Sequence, residues 1–323
     1  MKFRIFLASL LSMAVLGSLP VAAQTFPNKP VRLVIPFPPG GSTDIIGRTL
    51  AQQLTELWGK QVVVDNRPGA GGSIGADAVA KSPADGYTLL LGHTGTLVVN
   101  PLLYPKLPYD PLKSFTPVSV VTLLPLVFVA NASIKPNSIQ ELLAYTKANP
   151  GTLNYGSAGN GSANHLALEY FKLLTKADLV HVPYKGTAPT IIDLISGQVS
   201  VTMVGAATVL QHIQSGKLKA LAVSSPNRLE VLPQVPTMAE AGVAGFDASP
   251  WFGIVAPAGT PADIVAKLNA DIVKVMSSQA ARRALAAEGA LITTNTPEQF
   301  TSLIKADLAR WGGVVKASNM KVE

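Results

Sequence analysis

The sequence predicts an α/β protein with two lobes and a mainly parallel sheet in each lobe. After the first 23 residues, strand-like and helix-like apolar patterns alternate, which is typical of βαβ units. The order strand, Gly/Ser-rich loop, helix occurs twice, at 31–59 and at 152–174. Two long strand-like segments, 117–131 and 249–257, are suited to connect the two units. These observations favour two lobes of similar architecture joined by two crossings.

The first 23 residues have the pattern of a secretory signal peptide. Lys2 and Arg4 form a basic start, residues 5–19 are apolar, and residues 21–23 form a small-residue cleavage site. The apolar part is shorter than the roughly 20 residues that a membrane span requires. We therefore expect cleavage near Ala23 and export of the remaining chain without a membrane anchor.

The first unit begins with a strand at 31–35. Helical periodicity then starts at Asp44 and ends at Gly59, because apolar residues recur on one face and glycine commonly terminates helices. These apolar residues are Ile46, Leu50, Leu54 and Leu57. The rest of the unit is predicted as a strand at 61–65, a helix at about 74–81 and a strand at 87–92.

The second unit repeats this layout with little residue identity. It is predicted as a strand at 152–157, the loop "AGNGS", a helix at 164–174, a strand at 178–184, a helix at 187–196 and a strand at 198–205. Two further helices, at about 262–277 and 297–317, end the chain.

The crossings divide the chain into lobes. Residues 24–124 and 250–323 are expected to form lobe 1, and residues 125–249 to form lobe 2. We expect a hinge where the chain crosses, near 123–126 and 248–252.

Each unit places a Gly/Ser-rich loop between the end of a strand and the start of a helix. The first N–H groups of a helix lack backbone partners, and ligands of open α/β sheets bind outside the carboxyl ends of the strands. Neither loop contains Lys or Arg, so N–H and O–H groups would hold an anion. We therefore expect the two loops to enclose a small anion between the lobes.

The composition argues against several other classes of function. The net charge is +7, but there is no run of Lys or Arg and only 6% of residues are aromatic, so no nucleic-acid partner is expected. There is no cysteine, and the four histidines form no metal-binding motif. Neither a dinucleotide fingerprint nor a Walker lysine follows the glycine loops, so no cofactor is expected.

One motif leaves an enzymatic alternative open. "GGSIG" (71–75) matches the nucleophile-elbow pattern, with Ser73 as the nucleophile of an exported serine hydrolase. An elbow needs its serine on the strand-to-helix turn, whereas Ser73 lies nine residues after Val64. A glycine-rich turn whose serine caps a helix is the favoured interpretation, and we do not expect an enzyme.

Eight motifs together resemble the Bug (TctC-type) substrate-binding proteins of tripartite tricarboxylate transporters. They occur in the family's order from about Phe26 to the C-terminus: "PFPPGGSTD" (36–44), "VVVDNRPGAGGSIGADAVAKSPADGYTLL" (62–90), "NPLLY" (100–104), "LPYDP" (107–111), "HVPYKGTAP" (181–189), "GKLKALAV" (216–223), "VPTMAEAG" (235–242) and "WFGIVAPAGTP" (251–261). The resemblance implies a two-lobed periplasmic binding protein of the type II-like, Venus-flytrap kind, which closes on small carboxylates.

The resemblance also implies which residues contact the ligand. From the first loop they are Phe37, Pro39, Gly40, Gly41, Ser42 and Asp44. From the second loop they are Ser157, Gly159, Asn160, Gly161 and Ser162, with His165 one helical turn further in. The end of the third strand, His93 and Thr94, is expected to form a wall of the cleft.

Alternatives stay open for some of these residues. Asp44 is equally suited to stabilise the helix dipole, Ser42 and Ser162 to cap helices, and His165 to lie on a helix surface. Many relatives carry an acidic residue where this chain has Gly205-Ala206, which argues against an amino-acid ligand.

The function expected from the sequence is that of a periplasmic, monomeric solute-binding protein. It would capture a small organic carboxylate and deliver it to the membrane subunits of a tripartite tricarboxylate-type transporter. The alternative within the same fold is a receptor that presents its ligand to a sensor.

Overall fold

The computed structural model describes residues 26–160, 162–184, 186–286, 288–318 and 320. The predicted signal peptide and Gly161, one of the predicted site residues, lie outside the described residues. Within the described ranges, no helix combines the length and the apolar character needed to cross a bilayer.

The first part of lobe 1 alternates strands and helices as the sequence predicts. Its elements are β1 (Val31–Ile35), α1 (Ser42–Trp58), β2 (Val62–Asn66), a 3₁₀ turn (Ala70–Gly72), α2 (Ser73–Ala80), β3 (Thr88–His93), a π-helical turn (Gly95–Val99), α3 (Asn100–Leu103) and β4 (Phe115–Leu123). The α1 helix buries Ile46, Leu50 and Leu54, the face that the apolar periodicity predicts. It ends at Gly59, whose φ of 60° is left-handed and whose N–H bonds the carbonyl of Thr55.

The chain then builds lobe 2 and returns. Lobe 2 consists of β5 (Leu126–Asn131), α4 (Ile139–Ala148), β6 (Asn154–Ser157), α5 (Ala163–Thr175), β7 (Val180–Pro183), α6 (Thr187–Ser196), β8 (Val201–Gly205), α7 (Ala206–Gln214) and β9 (Leu218–Val223). The returning segment consists of β10 (Trp251–Pro257), α8 (Ala262–Met276), α9 (Gln279–Ala286), β11 (Leu291–Ile292) and α10 (Pro297–Ala317).

The two lobes each have their own sheet, so the predicted two-lobed α/β architecture is confirmed. The strand order is β11-β4-β10-β3-β1-β2 in one sheet and β7-β6-β8-β5-β9 in the other. The sequence pattern predicts one long strand-like segment at 117–131. In the structure this segment forms two strands, β4 and β5, because the chain passes from one sheet to the other between Leu123 and Leu126.

The sheets are mixed, which corrects the prediction of mainly parallel sheets. β1 pairs in parallel with β2 and β3, and β6 pairs in parallel with β7 and β8. The strands that enter a lobe from the other one, β5 and β10, are antiparallel to their neighbours. The reason is geometric: β1 and β3 end at the edge that faces the cleft, whereas an entering strand starts there and must run the opposite way.

The two crossings lie side by side and are hydrogen-bonded to each other. The N–H of Leu124 donates to the carbonyl of Pro250 (2.8 Å), and the N–H of Leu126 donates to Ser224 Oγ (2.8 Å). Ser224 Oγ lies 2.8 Å from Ser249 Oγ. This pairing is compatible with the predicted hinge, and the lobe boundaries at 124/125 and 249/250 stay a prediction.

The C-terminal helix α10 contacts both lobes. In lobe 1, Trp251 Nε1 donates to Asp307 Oδ2 on α10 (2.7 Å), and the Trp251 ring packs edge-on against Phe300. In lobe 2, Tyr170 packs edge-on against Trp311 of α10. Trp251 is therefore a core residue beside the hinge and not part of the cleft wall.

Candidate functional site

A cavity of about 590 Å³ lies between the lobes and is lined by residues of both. Five of the predicted site residues line it: Phe37, Ser42, His93, Asn160 and Ser162. A volume of this size is typical of small-molecule sites. Among the described residues that line the cavity, none is Asp, Glu, Lys or Arg.

The N-termini of four helices contribute residues to the cavity wall. They are those of α1 (Ser42 and Thr43), α5 (Ser162 to Asn164), α6 (Gly186 and Thr187) and α7 (Gly205 and Thr208). Glycine occupies the N-cap of α1, α6 and α7, and none of these three helices has a side-chain cap. Their first N–H groups and the positive ends of their dipoles are therefore available to an anion.

The Phe37 ring and the His93 imidazole form one part of the lobe 1 wall. They stack with centroids 4.7 Å apart, and Phe252 packs edge-on against His93. Burial lowers the pKa of His93 to about 4, so the ring is neutral at pH 7. His93 Nδ1 accepts a hydrogen bond from Gly95 N (2.6 Å), so we assign the ring proton to Nε2, which makes Nε2 a donor.

Asp44 lies behind the first loop and outside the cavity lining. Its side chain accepts hydrogen bonds from Gly40 N (3.0 Å), Arg48 Nε (2.8 Å) and Asn66 Nδ2 (3.0 Å). Burial by itself raises the pKa of Asp44, but these hydrogen bonds outweigh it and hold the pKa below its ordinary value. The contacts favour the alternative in which Asp44 holds the loop and the start of α1 in place.

The remaining predicted residues of the first loop and the third strand also lie outside the cavity lining. Pro39, Gly40 and Gly41 are exposed. Gly40 has a φ of 88°, which a residue with a side chain adopts at a cost. Thr94 is buried, and its Oγ1 accepts a hydrogen bond from Trp251 N (3.0 Å). Thr94 thus connects β3 to the crossing strand.

Beneath the second loop lies a stack of three rings, which we call the histidine stack: Tyr155, His181 and His165. The centroids of His165 and His181 are 4.0 Å apart, and those of His181 and Tyr155 are 4.7 Å apart. Ser157 Oγ lies 2.7 Å from His181 Nε2. Ser157 and His165 are both buried, and they support the loop from below.

The loop itself is arranged around Ser162. Ser162 Oγ accepts a hydrogen bond from His165 N (3.3 Å), which caps α5. Gly159 has a φ of 120°, and its carbonyl accepts a hydrogen bond from Ser162 N (3.1 Å). Ser162 is therefore a helix cap that also lines the cavity.

The comparisons with known proteins agree with this geometry. The family model described as "Tripartite tricarboxylate transporter family receptor" (TctC) matches residues 46–320. Protein BugT of Bordetella pertussis is 45% identical over 305 residues, which are 94% of each chain. This chain belongs to the TctC family.

Two solved structures with bound dicarboxylates share the fold. The structure of R. palustris Rpa4515 with adipate has a TM-score of 0.81 and 37% identity, covering 92% of this chain and 99% of that one. MatC from Rhodopseudomonas palustris with bound malate has a TM-score of 0.76 and 35% identity, covering 90% of this chain and 100% of that one. The chain is thus a periplasmic-type solute-binding protein, and the resemblance inferred from the motifs is confirmed.

TctC proteins are receptors and not enzymes, and the position of Ser73 agrees with this classification. The predicted helix cap at Ser73 is wrong, because Gly72 occupies the N-cap of α2 and no side chain caps this helix. Ser73 is the first residue of α2, and its Oγ accepts a hydrogen bond from Asn100 Nδ2 (3.0 Å). It lies outside the lining of the interlobe cavity. Among the residues that the structure describes, no group of three or more His, Asp or Glu side chains is placed to hold a metal ion.

Sequence reasoning missed several parts of the cavity wall, including Leu124, Leu126, Pro250 and Phe252 near the crossings. Two other missed parts lie in the family motifs. One is formed by Gly186 and Thr187 at the start of α6. Nearby, Tyr184 N donates to Ser157 O (3.0 Å), so Tyr184 lies directly beside the second loop. The other is formed by Asn100 and Tyr104. Both lie in motifs on which the family resemblance rests, "HVPYKGTAP" and "NPLLY", so the signal was present in the sequence.

Proposed function

We propose that this protein binds a small organic carboxylate in the interlobe cavity and delivers it to a tripartite tricarboxylate-type transporter. The observation that carries the proposal is the convergence of four helix N-termini on one cavity, three of them capped by glycine. None of the described lining residues is Asp, Glu, Lys or Arg, so N–H and O–H groups are the donors that an anion meets in the cavity. The related structures with adipate and malate support a carboxylate as the ligand class.

The energy available from such a site suits a transport receptor. A hydrogen bond to a charged group contributes about 1.5–3 kcal/mol. Three or four of these, less the cost of association, are compatible with a dissociation constant of about 1 µM, which corresponds to roughly 8 kcal/mol. The predicted contacts of Ser42, Asn160 and Ser162 with the ligand are part of this proposal.

The ligand class is tested by a thermal-shift screen of the mature protein after bound ligand has been removed. Monocarboxylates, dicarboxylates and tricarboxylates are compared with neutral sugars and with cations. A ligand at 100 times its dissociation constant adds about 2.7 kcal/mol of stability, which such a screen detects. Stabilisation by sugars or cations alone would contradict the proposal.

The transporter partnership is tested by uptake. Membrane vesicles that contain the membrane subunits of a tripartite tricarboxylate-type transporter from the same organism should take up the labelled carboxylate only when the purified protein is added. Stimulation of a sensor kinase without uptake would favour the alternative in which the protein presents its ligand to a sensor.

Export and oligomeric state complete the proposal. We expect the protein in the periplasm as a monomer, with Gln24 as its first residue after cleavage near Ala23. N-terminal sequencing of the periplasmic fraction and sedimentation analysis test these two expectations.

A further inference from the structure

We propose that Glu288 determines which ligands the cavity selects, by acting on Ser42. Glu288 turns Ser42 into a hydrogen-bond acceptor, so the lobe 1 end of the cavity favours a hydroxyl or ammonium group of the ligand over a second carboxylate. The ligand class that follows is a hydroxy- or amino-carboxylate, bound with its carboxylate toward lobe 2. This inference rests on the proposed function and makes its ligand class more specific.

The hydroxyl proton of Ser42 is directed at Glu288. Ser42 Oγ donates a hydrogen bond to Glu288 Oε2 (2.6 Å), across a separation of 246 residues. A hydroxyl has one proton, and this one is directed at the carboxylate. Because Ser42 lines the cavity, its oxygen can offer the ligand only lone pairs.

The negative charge of Glu288 lies on a turn between the two walls of the cavity. Residues 288–290, which we call the rim turn, connect α9 to β11. A Cβ atom on Gly289 would lie 3.2 Å from Ala206 Cβ, so the rim turn contacts the first residue of α7 in lobe 2. Ala206 follows Gly205, which lines the cavity. The rim turn therefore extends from Ser42 on one wall to α7 on the other.

The charge of Glu288 acts on any ligand group that is bound at Ser42. Among the described residues, no Lys, Arg or His nitrogen lies within 4.0 Å of a Glu288 carboxylate oxygen, so Glu288 has no direct ion-pair partner there. A ligand carboxylate bound at Ser42 would face the acceptor oxygen of Ser42, which cannot donate to it. It would also be repelled by the Glu288 carboxylate behind that oxygen. A hydroxyl or ammonium group in the same place would donate to Ser42 and be attracted by the charge.

Ser162, on the opposite wall, can donate a hydrogen bond to the ligand, whereas Ser42 can only accept one. Its oxygen accepts a hydrogen bond from His165 N (3.3 Å), which uses a lone pair and leaves the hydroxyl proton to donate. Three of the four helix N-termini, those of α5, α6 and α7, are also on the lobe 2 side. The two walls thus differ in polarity, and lobe 2 is the better place for a carboxylate.

The test compares ligands that differ only at one end. Butyrate, succinate, 4-hydroxybutyrate and 4-aminobutyrate form a four-carbon series, and hexanoate, adipate, 6-hydroxyhexanoate and 6-aminohexanoate form a six-carbon series. Calorimetry on the mature protein, stripped of ligand, gives the affinity of each. In the series that fits the cavity, we expect the hydroxyl- or ammonium-ended member to bind about tenfold more tightly than the dicarboxylate.

Variants then assign the preference to Glu288. Glu288→Gln keeps the size and the acceptor oxygen but removes the charge, so the preference should fall about tenfold, with the dicarboxylate binding more tightly than before. Ser42→Ala should weaken the hydroxyl-ended ligand and leave the methyl-ended one nearly unchanged. Glu56→Gln is the matched control: the same exchange on the exposed face of α1, about 20 Å along the helix from Ser42, should leave the ranking unchanged.

Each outcome supports or overturns the inference. A dicarboxylate that binds the unmodified protein best in both series, or a ranking that Glu288→Gln does not alter, overturns it while the proposed function stands. Failure of every member of both series to bind would contradict the proposed function, and this inference with it. Thermal unfolding of Glu288→Gln and Ser42→Ala checks that both variants are folded, and either variant alone suffices for the test.

Discussion

The imidazole rings of His165 and His181 stack with their centroids 4.0 Å apart and 12° between their planes. Burial first, and then the neighbouring His181, lowers the pKa of His165 to about 4; burial also lowers the pKa of His181. Glu169 and Lys172 form an ion pair beside the stack. Glu169 raises the pKa of both histidines, and Lys172 lowers it. The stack is therefore neutral at pH 7 and opposes protonation.

This stack predicts a loss of stability in mild acid. Between pH 6.5 and pH 4 the unfolded chain binds a proton at His165 that the folded chain does not, so the free energy of unfolding falls as the pH falls. For His165 we expect a decrease of about 2 kcal/mol from pH 7 to pH 5, measured by urea unfolding. His165→Gln should remove this part of the pH dependence.

The control for the histidine prediction is Tyr155→Phe. It removes the hydroxyl that donates to Glu169 Oε1 (2.6 Å) but keeps the three stacked rings. It should lower stability by a similar amount at both pH values. A pH dependence that is the same in His165→Gln and in the unmodified protein would refute the prediction.

Asp44 is predicted to act through the first loop and not by contact with the ligand. Asp44→Ala removes the acceptor for Gly40 N, Arg48 and Asn66, so the free energy of unfolding should fall by about 2–3 kcal/mol. Carboxylate affinity should fall as well, because the start of α1 is displaced. Arg48→Ala, at a largely exposed side chain, should cost at most about 1 kcal/mol. Weaker binding by Asp44→Ala with unchanged stability would indicate a direct ligand contact instead.

Ser162 is predicted to have two functions that separate experimentally. Ser162→Ala should lower the stability of the unliganded protein by about 1 kcal/mol, through loss of the α5 cap. It should also weaken carboxylate binding by about 1–3 kcal/mol, through loss of a donor in the cavity. If only the stability changes, Ser162 is a cap alone.

Ser73→Ala is the matched control for this experiment. Ser73 lies outside the cavity lining, so carboxylate affinity and uptake should stay unchanged. Loss of uptake in Ser73→Ala, or turnover of an ester by the unmodified protein, would revive the hydrolase alternative.

Ligand binding is predicted to close the cleft about the paired crossings at Leu124 and Pro250. A ligand that touches both walls stabilises the closed arrangement over the open one. The radius of gyration from small-angle scattering should therefore decrease at saturating ligand. An unchanged radius, with binding confirmed by calorimetry, would count against a hinge.

Much of the local structure was predictable because it depends on neighbours in the sequence. β1 and α6 have the predicted bounds, Val31–Ile35 and Thr187–Ser196. The apolar face of α1 and the glycine that ends it were also predicted. The directions of β5 and β10 were not, because a strand's direction depends on which edge of the sheet the chain enters.

The candidate site was predictable in its outline but not in the role of each side chain. Phe37, Ser42, His93, Asn160 and Ser162 line the cavity, and their predicted contacts with the ligand stay a prediction. Asp44, Ser157 and His165 lie one layer further back. The side chains of Asp44 and Ser157 bond to Asn66 and His181, and the His165 ring is part of the histidine stack. The absence of an acidic residue at Gly205-Ala206 argues against an amine-bearing ligand, yet the rim turn, which contacts Ala206, places the carboxylate of Glu288 beside Ser42 on the opposite wall.

The sequence by itself determined the two strand–loop–helix units, the absence of cations from their loops and the membership of the TctC family. These features follow from local periodicity, glycine placement and short motifs, which are properties of adjacent residues. Only the tertiary structure decided that Ser42 donates its proton to Glu288, since the two are 246 residues apart and no local rule relates them. Hydrogen-bond direction and burial depend on which surfaces the fold brings together, and so the polarity of the cavity walls was decided by packing.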